Sequence, residues 1–149
     1  MLFYRVIHTA DRRNHMQFKL MIRPRISETD LMGHINNVTP AIWMEEGRTY
    51  FFRECVGNRA ELPSLMIRHV DIDYRDQMFI DYQVEISTGV ARFGNTSMQL
   101  YQEIRQTGRL CVVGRSTLVF VDAVEYKPCA IPTHIRDALS PYSVDPSDG

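Results

Sequence analysis

Hydrophobic residues follow two different periods along this chain. Between residues 17 and 26 they occupy every second position, which predicts a first β-strand: Phe18, Leu20 and Ile22. From residue 39 to residue 56 they follow a helical period instead, on a broad stripe: Ala41, Met44, Gly47, Phe51 and Cys55. Thr39 is a suitable N-cap and Pro40 suits the first helical position, where its missing N–H needs no partner. So broad a stripe is typical of a helix that packs against a sheet.

After Pro63 the period returns to two, and it continues through four further segments as far as Val121. The pairs Gly94-Asn95 and Thr107-Gly108 are typical of turns between strands, so the pattern predicts an antiparallel meander. The alternation slips near Arg68 and His69, which predicts a β-bulge. The segment "IPTHIRDAL" predicts a short helical turn near the end of the chain.

One strand, one helix and four strands predict an α+β fold in which a single antiparallel sheet wraps around a long central helix. This domain spans residues 17–140. Residues 1–16 are expected to form an N-terminal extension that need not be ordered, and residues 141–149 a loose tail. A curled sheet leaves open edges, and pairing of edges across a two-fold axis would produce a homodimer or a homotetramer.

Composition excludes several classes of function. The 149 residues carry a net charge of -1, which offers no basic field for nucleic acid. No apolar stretch is long enough to predict a membrane span. The three cysteines are too far apart for a disulfide framework or a zinc site, so the sequence predicts no metal and no cofactor, and a reducing, cytoplasmic location.

The most informative segment is "DLMGHINNVTPAIWMEEGR", residues 30–48. It resembles the active-site segment of hotdog-fold acyl thioesterases, closest to the 4-hydroxybenzoyl-CoA thioesterase class and similar also to acyl-ACP thioesterases. The shared pattern is an acid, three residues, His-x-Asn-Asn and a helix that ends in Glu-x-x-Arg. The segments "VDIDYRDQMFIDYQVEI", "ARFGNTSMQLYQEI" and "IPTHIRDAL" extend the resemblance over about residues 17–139.

The chain departs from the family pattern at four positions. Pro40 replaces an aromatic residue, Asp76 replaces a proline and Ile80 replaces a glycine. Met32 stands where the plant enzymes have an asparagine two residues after the acid. The acid and the histidine of the pattern are retained.

The resemblance implies that Asp30 is catalytic, as a general base or as a nucleophile, with assistance from His34. A thioester carbonyl would be polarised by a backbone N–H near Asn37 or Val38, at the positive end of the helix. Candidate substrate-binding residues are Asn36, Val38, Trp43 and Arg68. The simpler interpretation is that Asp30 caps a turn and that the asparagines are ordinary residues before a helix.

The leading functional hypothesis is therefore an acyl thioesterase that hydrolyses an acyl-CoA or an acyl-carrier-protein thioester. An enoyl-thioester hydratase of the same fold is an alternative, although the related motif places its histidine five residues after the acid. A non-catalytic dimer that binds acyl thioesters is a third hypothesis. Thiol release, enoyl hydration and binding without turnover distinguish the three.

Overall fold

The computed structural model describes residues 4–10, 15–57 and 64–148. Its strands are β1 Tyr4–Ala10, β2 Met16–Ile22, β3 Ser64–Tyr74, β4 Val84–Phe93, β5 Ser97–Gln106 and β6 Arg109–Val121. They form one sheet of six strands in the order β1-β2-β4-β5-β6-β3, and every neighbouring pair is antiparallel. The helices are α1 Thr39–Val56 and α2 Thr133–Leu139. The strands predicted after residue 63 and the short helix near the end are confirmed.

Helix α1 packs against the sheet through its apolar stripe and forms the centre of the core. Trp43, Met44 and Phe51 are at most 1% exposed. Gly47 allows the close approach, because a Cβ at this position would lie 2.8 Å from Nε2 of Gln102 on the sheet. The helix has 18 residues, or about five turns, so it is of moderate length rather than long.

The local signals of the sequence have the expected structural outcome at two places. The register of β3 against β6 shifts between Ile67 and His69, which confirms the predicted bulge. Thr107 and Gly108 have φ angles of 51° and 79°, and these positive values form the tight turn between β5 and β6. The helix start differs by one position, since Val38 is the N-cap and Thr39 is already helical.

The expected N-terminal extension, which need not be ordered, includes a strand at residues 4–10. These residues form β1, which pairs with β2 over its full length. The Tyr4 hydroxyl donates a hydrogen bond of 3.1 Å to Glu46 on α1, and His8 Nδ1 lies 2.9 Å from the Tyr142 hydroxyl. Hydrophobic periodicity does not predict this strand, because its side chains are only half-buried or exposed and therefore alternate weakly. Residues 1–3 and 11–14 of the extension lie outside the described residues.

The C-terminal segment, expected as a loose tail, packs against the domain. Residues Ser140–Tyr142 form a 3₁₀ turn, and Tyr142 is only 8% exposed. The Val144 N–H donates a 2.9 Å hydrogen bond to the Val90 carbonyl, and a parallel bridge joins Val90 to Ser143. The tail was expected to be loose because its sequence has no period; contacts distant in sequence order it. Of the helices described, none is sufficiently long and apolar to cross a lipid bilayer.

Candidate active site

Asp30 lies at the surface, in a tight turn that is closed by an antiparallel bridge between Thr29 and Ile35. Its carboxylate oxygen Oδ1 accepts hydrogen bonds from the backbone N–H of Met32 at 2.8 Å and of His34 at 3.1 Å. Oδ2 accepts none from the residues that the structure describes. The side chain therefore caps the turn with one oxygen and presents the other to solvent, so the structural and the catalytic interpretations of Asp30 are compatible.

His34 is held beside Asp30 through its backbone and its ring. Its carbonyl accepts the Asp30 N–H at 2.8 Å, and a β-bridge joins it to Phe79. The imidazole packs edge-on against the Phe79 ring, with 5.0 Å between the ring centroids. No hydrogen bond between the imidazole and the Asp30 carboxylate is present among the described residues, so His34 is adjacent to the acid without being paired with it.

The two asparagines before α1 have different roles. The Asn36 side chain accepts the Val38 N–H at 3.0 Å, and its carbonyl accepts the Thr39 N–H at 3.0 Å. The Val38 N–H is thus already satisfied. The Asn37 N–H has no acceptor within the described part of the chain, while its carbonyl accepts a hydrogen bond from the Tyr74 hydroxyl. Of the two predicted donors to a thioester carbonyl, only the Asn37 N–H is available.

The buried residue Glu28 ties this turn to the helix, and sequence reasoning missed it. Glu28 is 8% exposed, and its carboxylate accepts hydrogen bonds from the Arg25 N–H at 2.7 Å and from the Trp43 indole at 3.1 Å. Its carbonyl accepts the Asn36 N–H at 2.8 Å and the Thr39 hydroxyl at 3.3 Å. A single glutamate in a short polar segment carries no sequence signal for so many contacts.

Trp43 and Arg68 are not brought to the acid. Trp43 is fully buried, and its polar atom is used by Glu28, so it supports the turn from inside the core. Arg68 is exposed at the bulge of β3. Val38 is 60% exposed, but neither it nor these two residues line the clefts beside Asp30.

Two neighbouring clefts open beside the turn. The first has a volume of about 380 Å³ and contains Asp30, His34 and Asn36. The second, of about 570 Å³, lies between Pro40 at the start of α1 and Tyr74 at the end of β3, with Met78 in its wall. The clefts share three lining residues: Ile35, Asn37 and Gln77. A thioester bond at Asn37 would therefore have one cleft on the side of the acid and another for the rest of the substrate.

Gln77, which lines both clefts, belongs to the loop between β3 and β4. A buried glutamine on β5 anchors this loop. Gln106, 1% exposed, accepts the Phe79 N–H at 2.8 Å and donates to the carbonyls of Phe79 at 2.7 Å and Tyr82 at 2.8 Å. The Ile35 N–H donates to the Met78 carbonyl at 2.8 Å. The loop and the Asp30 turn are thus held to each other. A polar residue at an inward position of a strand is the signal that could have indicated this anchor.

Electrostatic contacts at the mouth of the second cleft involve Asp76, which replaces the family's proline. Asp76 accepts the Gln77 N–H at 2.8 Å and forms an ion pair with Arg109. The Gln77 N–H, and after it the Arg109 guanidinium, hold the pKa of the Asp76 carboxyl below its usual value. Within the described ranges, no group of three or more His, Cys, Asp or Glu side chains is placed to hold a metal ion.

Comparison with known proteins identifies the family and the fold. The sequence model of the thioesterase-like superfamily matches residues 24–139. The uncharacterized protein YsmA of Bacillus subtilis (strain 168) is 30% identical over 99 residues, which make up 65% of this chain and 67% of that protein. The structure of a predicted thioesterase from Bacillus stearothermophilus is 37% identical with a TM-score of 0.79, covering 87% of this chain and 98% of that chain.

A thioesterase from Thermus thermophilus, complexed with coenzyme A and Zn, is similar in fold. It is 20% identical with a TM-score of 0.73, covering 81% of this chain and 95% of that chain. These structures confirm the α+β hotdog architecture, a six-stranded antiparallel sheet with a helix packed against it.

Proposed function

The chain belongs to the thioesterase-like superfamily and is a thioester hydrolase, and we propose that its substrate is an acyl-CoA. The observation that carries the proposal is the arrangement of Asp30 and Asn37. Among the described residues, Asp30 Oδ2 accepts no hydrogen bond and the Asn37 N–H has no acceptor. Asp30 and Asn37 line the same cleft. They supply the base or nucleophile and the carbonyl-polarising group that thioester hydrolysis requires.

The reaction follows from this arrangement. The Asn37 N–H donates to the thioester carbonyl oxygen, and Asp30 accepts a proton from a water molecule that attacks the carbonyl carbon. The C–S bond of the tetrahedral intermediate then breaks, the thiolate leaves, and it receives the proton held by Asp30. If Asp30 attacks directly, an acyl-anhydride forms with loss of the thiolate, and water hydrolyses it. His34, fixed beside Asp30, orients water or substrate in either case.

Coenzyme A, rather than a carrier protein, fits the charges at the mouth of the clefts. Arg75 forms an ion pair with Asp73, and Arg109 forms one with Asp76. The mouth of the second cleft therefore carries charges of both signs. An acidic carrier protein requires a broad basic face, whereas a nucleotide thioester requires only a few local cations. The solved neighbour that holds coenzyme A is further support for this choice. A cytoplasmic location is part of the same proposal, and the free thiols of Cys55, Cys111 and Cys129 support it.

Replacement of Asp30 by asparagine tests the proposal. Asn keeps the shape and the Oδ1 acceptor that cap the turn, but it removes the carboxylate that both mechanisms need. The rate constant kcat for thiol release should fall by about two to four orders of magnitude. The assay follows free thiol over a panel of acyl-CoA and acyl-carrier-protein thioesters. Single turnover in oxygen-18 water separates the mechanisms, because label in the Asp30 side chain indicates an anhydride.

Asp122→Asn is a matched control for this experiment. Asp122 is exposed, and its Oδ1 likewise accepts two backbone N–H groups, from Val124 at 2.9 Å and Glu125 at 2.8 Å. It lies in neither cleft, so its variant reports the loss of turn capping alone and should keep full activity. An Asp30→Asn protein that turns over like the wild type would exclude Asp30 as the catalytic base or nucleophile.

We further propose a homodimer, alone or as half of a tetramer, in which β3 pairs with its copy. Among the described strands β3 pairs only with β6, so its other edge is open. On this edge strand the side chains of Met66 and Ile67 are 58% and 47% exposed. Exposed apolar residues are unusual on the edge strands of soluble proteins, because they favour pairing with another chain. Tyr74, at the end of β3, lines the second cleft, so the pairing places this cleft near the partner.

The dimer predicts a specific response to edge charges. Met66→Lys together with Ile67→Lys should convert a dimeric mass to a monomeric one in light scattering. Val124→Lys is the control, because Val124 is 83% exposed and lies outside β3, in the loop after β6. A wild-type protein that is monomeric at micromolar concentration would contradict the pairing.

A further inference from the structure

Among the described residues, Gln77 is the one polar side chain between the two clefts that neither the sequence motif nor the Asp30 chemistry uses. We propose that its amide is a catalytic group that donates a hydrogen bond to the thioester carbonyl oxygen as negative charge develops there. The inference rests on the proposed thioester hydrolysis at Asp30. Gln77 lines both clefts together with Asn37, so a carbonyl that reaches the Asn37 N–H lies in a cleft that Gln77 also lines.

The backbone of Gln77 is fixed on both sides. Its N–H donates to the Asp76 carboxylate at 2.8 Å, and its carbonyl accepts a 3.4 Å hydrogen bond from the Arg109 guanidinium. The next residue, Met78, is 4% exposed and accepts the Ile35 N–H at 2.8 Å. The loop therefore holds the Gln77 Cα in a constant position relative to the Asp30 turn, which is the pre-organisation that a catalytic donor needs.

The side chain of Gln77 is free in contrast to its backbone. It is exposed, and no hydrogen bond of its amide is present within the described part of the chain. Two glutamines in the core, Gln102 and Gln106, differ from Gln77, since each is 1% exposed. Their amides donate hydrogen bonds to the backbone carbonyls of Met44, Phe79 and Tyr82. The Gln77 amide has no such structural task.

The chemistry of the site calls for a second donor. The negative charge that forms on the carbonyl oxygen is usually shared by more than one hydrogen bond. The Val38 N–H, the next donor along the chain, is already satisfied by Asn36. Gln77, which lines both clefts together with Asn37, can provide the hydrogen bond that Val38 cannot.

Two substitutions of equal size test the role. Gln77→Met removes the amide and keeps the length, so kcat should fall by about 10- to 100-fold while KM changes less than about threefold. Gln77→Glu also removes the donor and adds a negative charge beside the developing oxyanion, so its kcat should be at least as low. Replacement of a residue with a purely structural role would not lower kcat while leaving KM almost unchanged.

Gln83→Met and Gln83→Glu are the controls, because Gln83 is exposed in the same loop and lines neither cleft. Thermal unfolding of all four variants should match that of the wild type. If the wild type releases thiol but Gln77→Met keeps kcat within about twofold, or changes KM alone, the role of Gln77 is refuted while the proposed function stands. If the wild type releases no thiol from any thioester, both fail together.

Discussion

Gln106 offers the most informative perturbation of stability, because one buried side chain anchors the whole loop that faces Asp30. Gln106→Met removes the amide and keeps the chain length. The Phe79 N–H and the carbonyls of Phe79 and Tyr82 then lose their partners, at 2.8, 2.7 and 2.8 Å respectively. No other side chain makes these contacts within the described residues.

The magnitude follows from these three hydrogen bonds. At a net value of about 1 kcal/mol each, they contribute about 3 kcal/mol to the free energy of unfolding. The more apolar methionine returns about 1 kcal/mol through burial at this inward position, so the net loss should be about 2 kcal/mol. That is a large share of the roughly 5–15 kcal/mol by which such a domain is stable. The loop should also become more mobile, so activity should fall more than stability alone explains.

Urea unfolding gives the free energy directly, and amide hydrogen exchange at Phe79, whose N–H is bonded to Gln106, reports the loop. Gln99→Met is the matched control, since Gln99 lies on the same strand, is half-buried, and makes no side-chain hydrogen bond with the described residues. The control should lose less than about 0.5 kcal/mol. A Gln106→Met protein that is as stable as the control, with unchanged exchange at Phe79, would refute this account of the loop.

Two further predictions concern other parts of the molecule. Deletion of residues 1–10 should lower the free energy of unfolding by at least about 2 kcal/mol, because it removes the β1 pairing and exposes the edge of β2; an unchanged urea midpoint would contradict this. For Asp76 the pKa is depressed by Gln77 and Arg109, so its stabilisation is present above the ordinary value of 3.8 and is lost as pH falls through the lower pKa. The difference in melting temperature between wild type and Asp76→Asn should therefore be present at neutral pH and vanish in acid; a constant difference would show that the carboxylate has no part.

The elements that periodicity predicts are those whose packing is one-sided and strong. Helix α1 follows its apolar stripe to the predicted end at Val56 and begins one position before the predicted N-cap allows, because a buried face requires apolar residues at helical spacing. The bulge at Arg68 is predicted by a slip in the alternation, since each strand position has only two possible faces. Strand β1 is not predicted, because an edge strand with half-buried or exposed side chains imposes little pattern on the sequence.

The chemistry of the site divides in a similar way. The motif names Asp30, His34 and Asn37 as neighbours, because all three lie within eight consecutive residues and local chain geometry keeps them together. It could not show that the Val38 N–H is already used by Asn36, since that depends on the backbone angles of the turn.

Long-range contacts account for the rest. Gln77 lines the cleft that contains Asp30, and the buried Trp43 donates a hydrogen bond to Glu28. Gln106 anchors the loop between β3 and β4. Each of these pairs is separated by more than ten residues of chain. Side-chain periodicity records only whether a position is buried, whereas these roles depend on which atoms from distant segments meet. Local order and the motif are therefore encoded in short stretches of this chain, while the walls of its clefts exist only once the sheet has formed and the helix has packed against it.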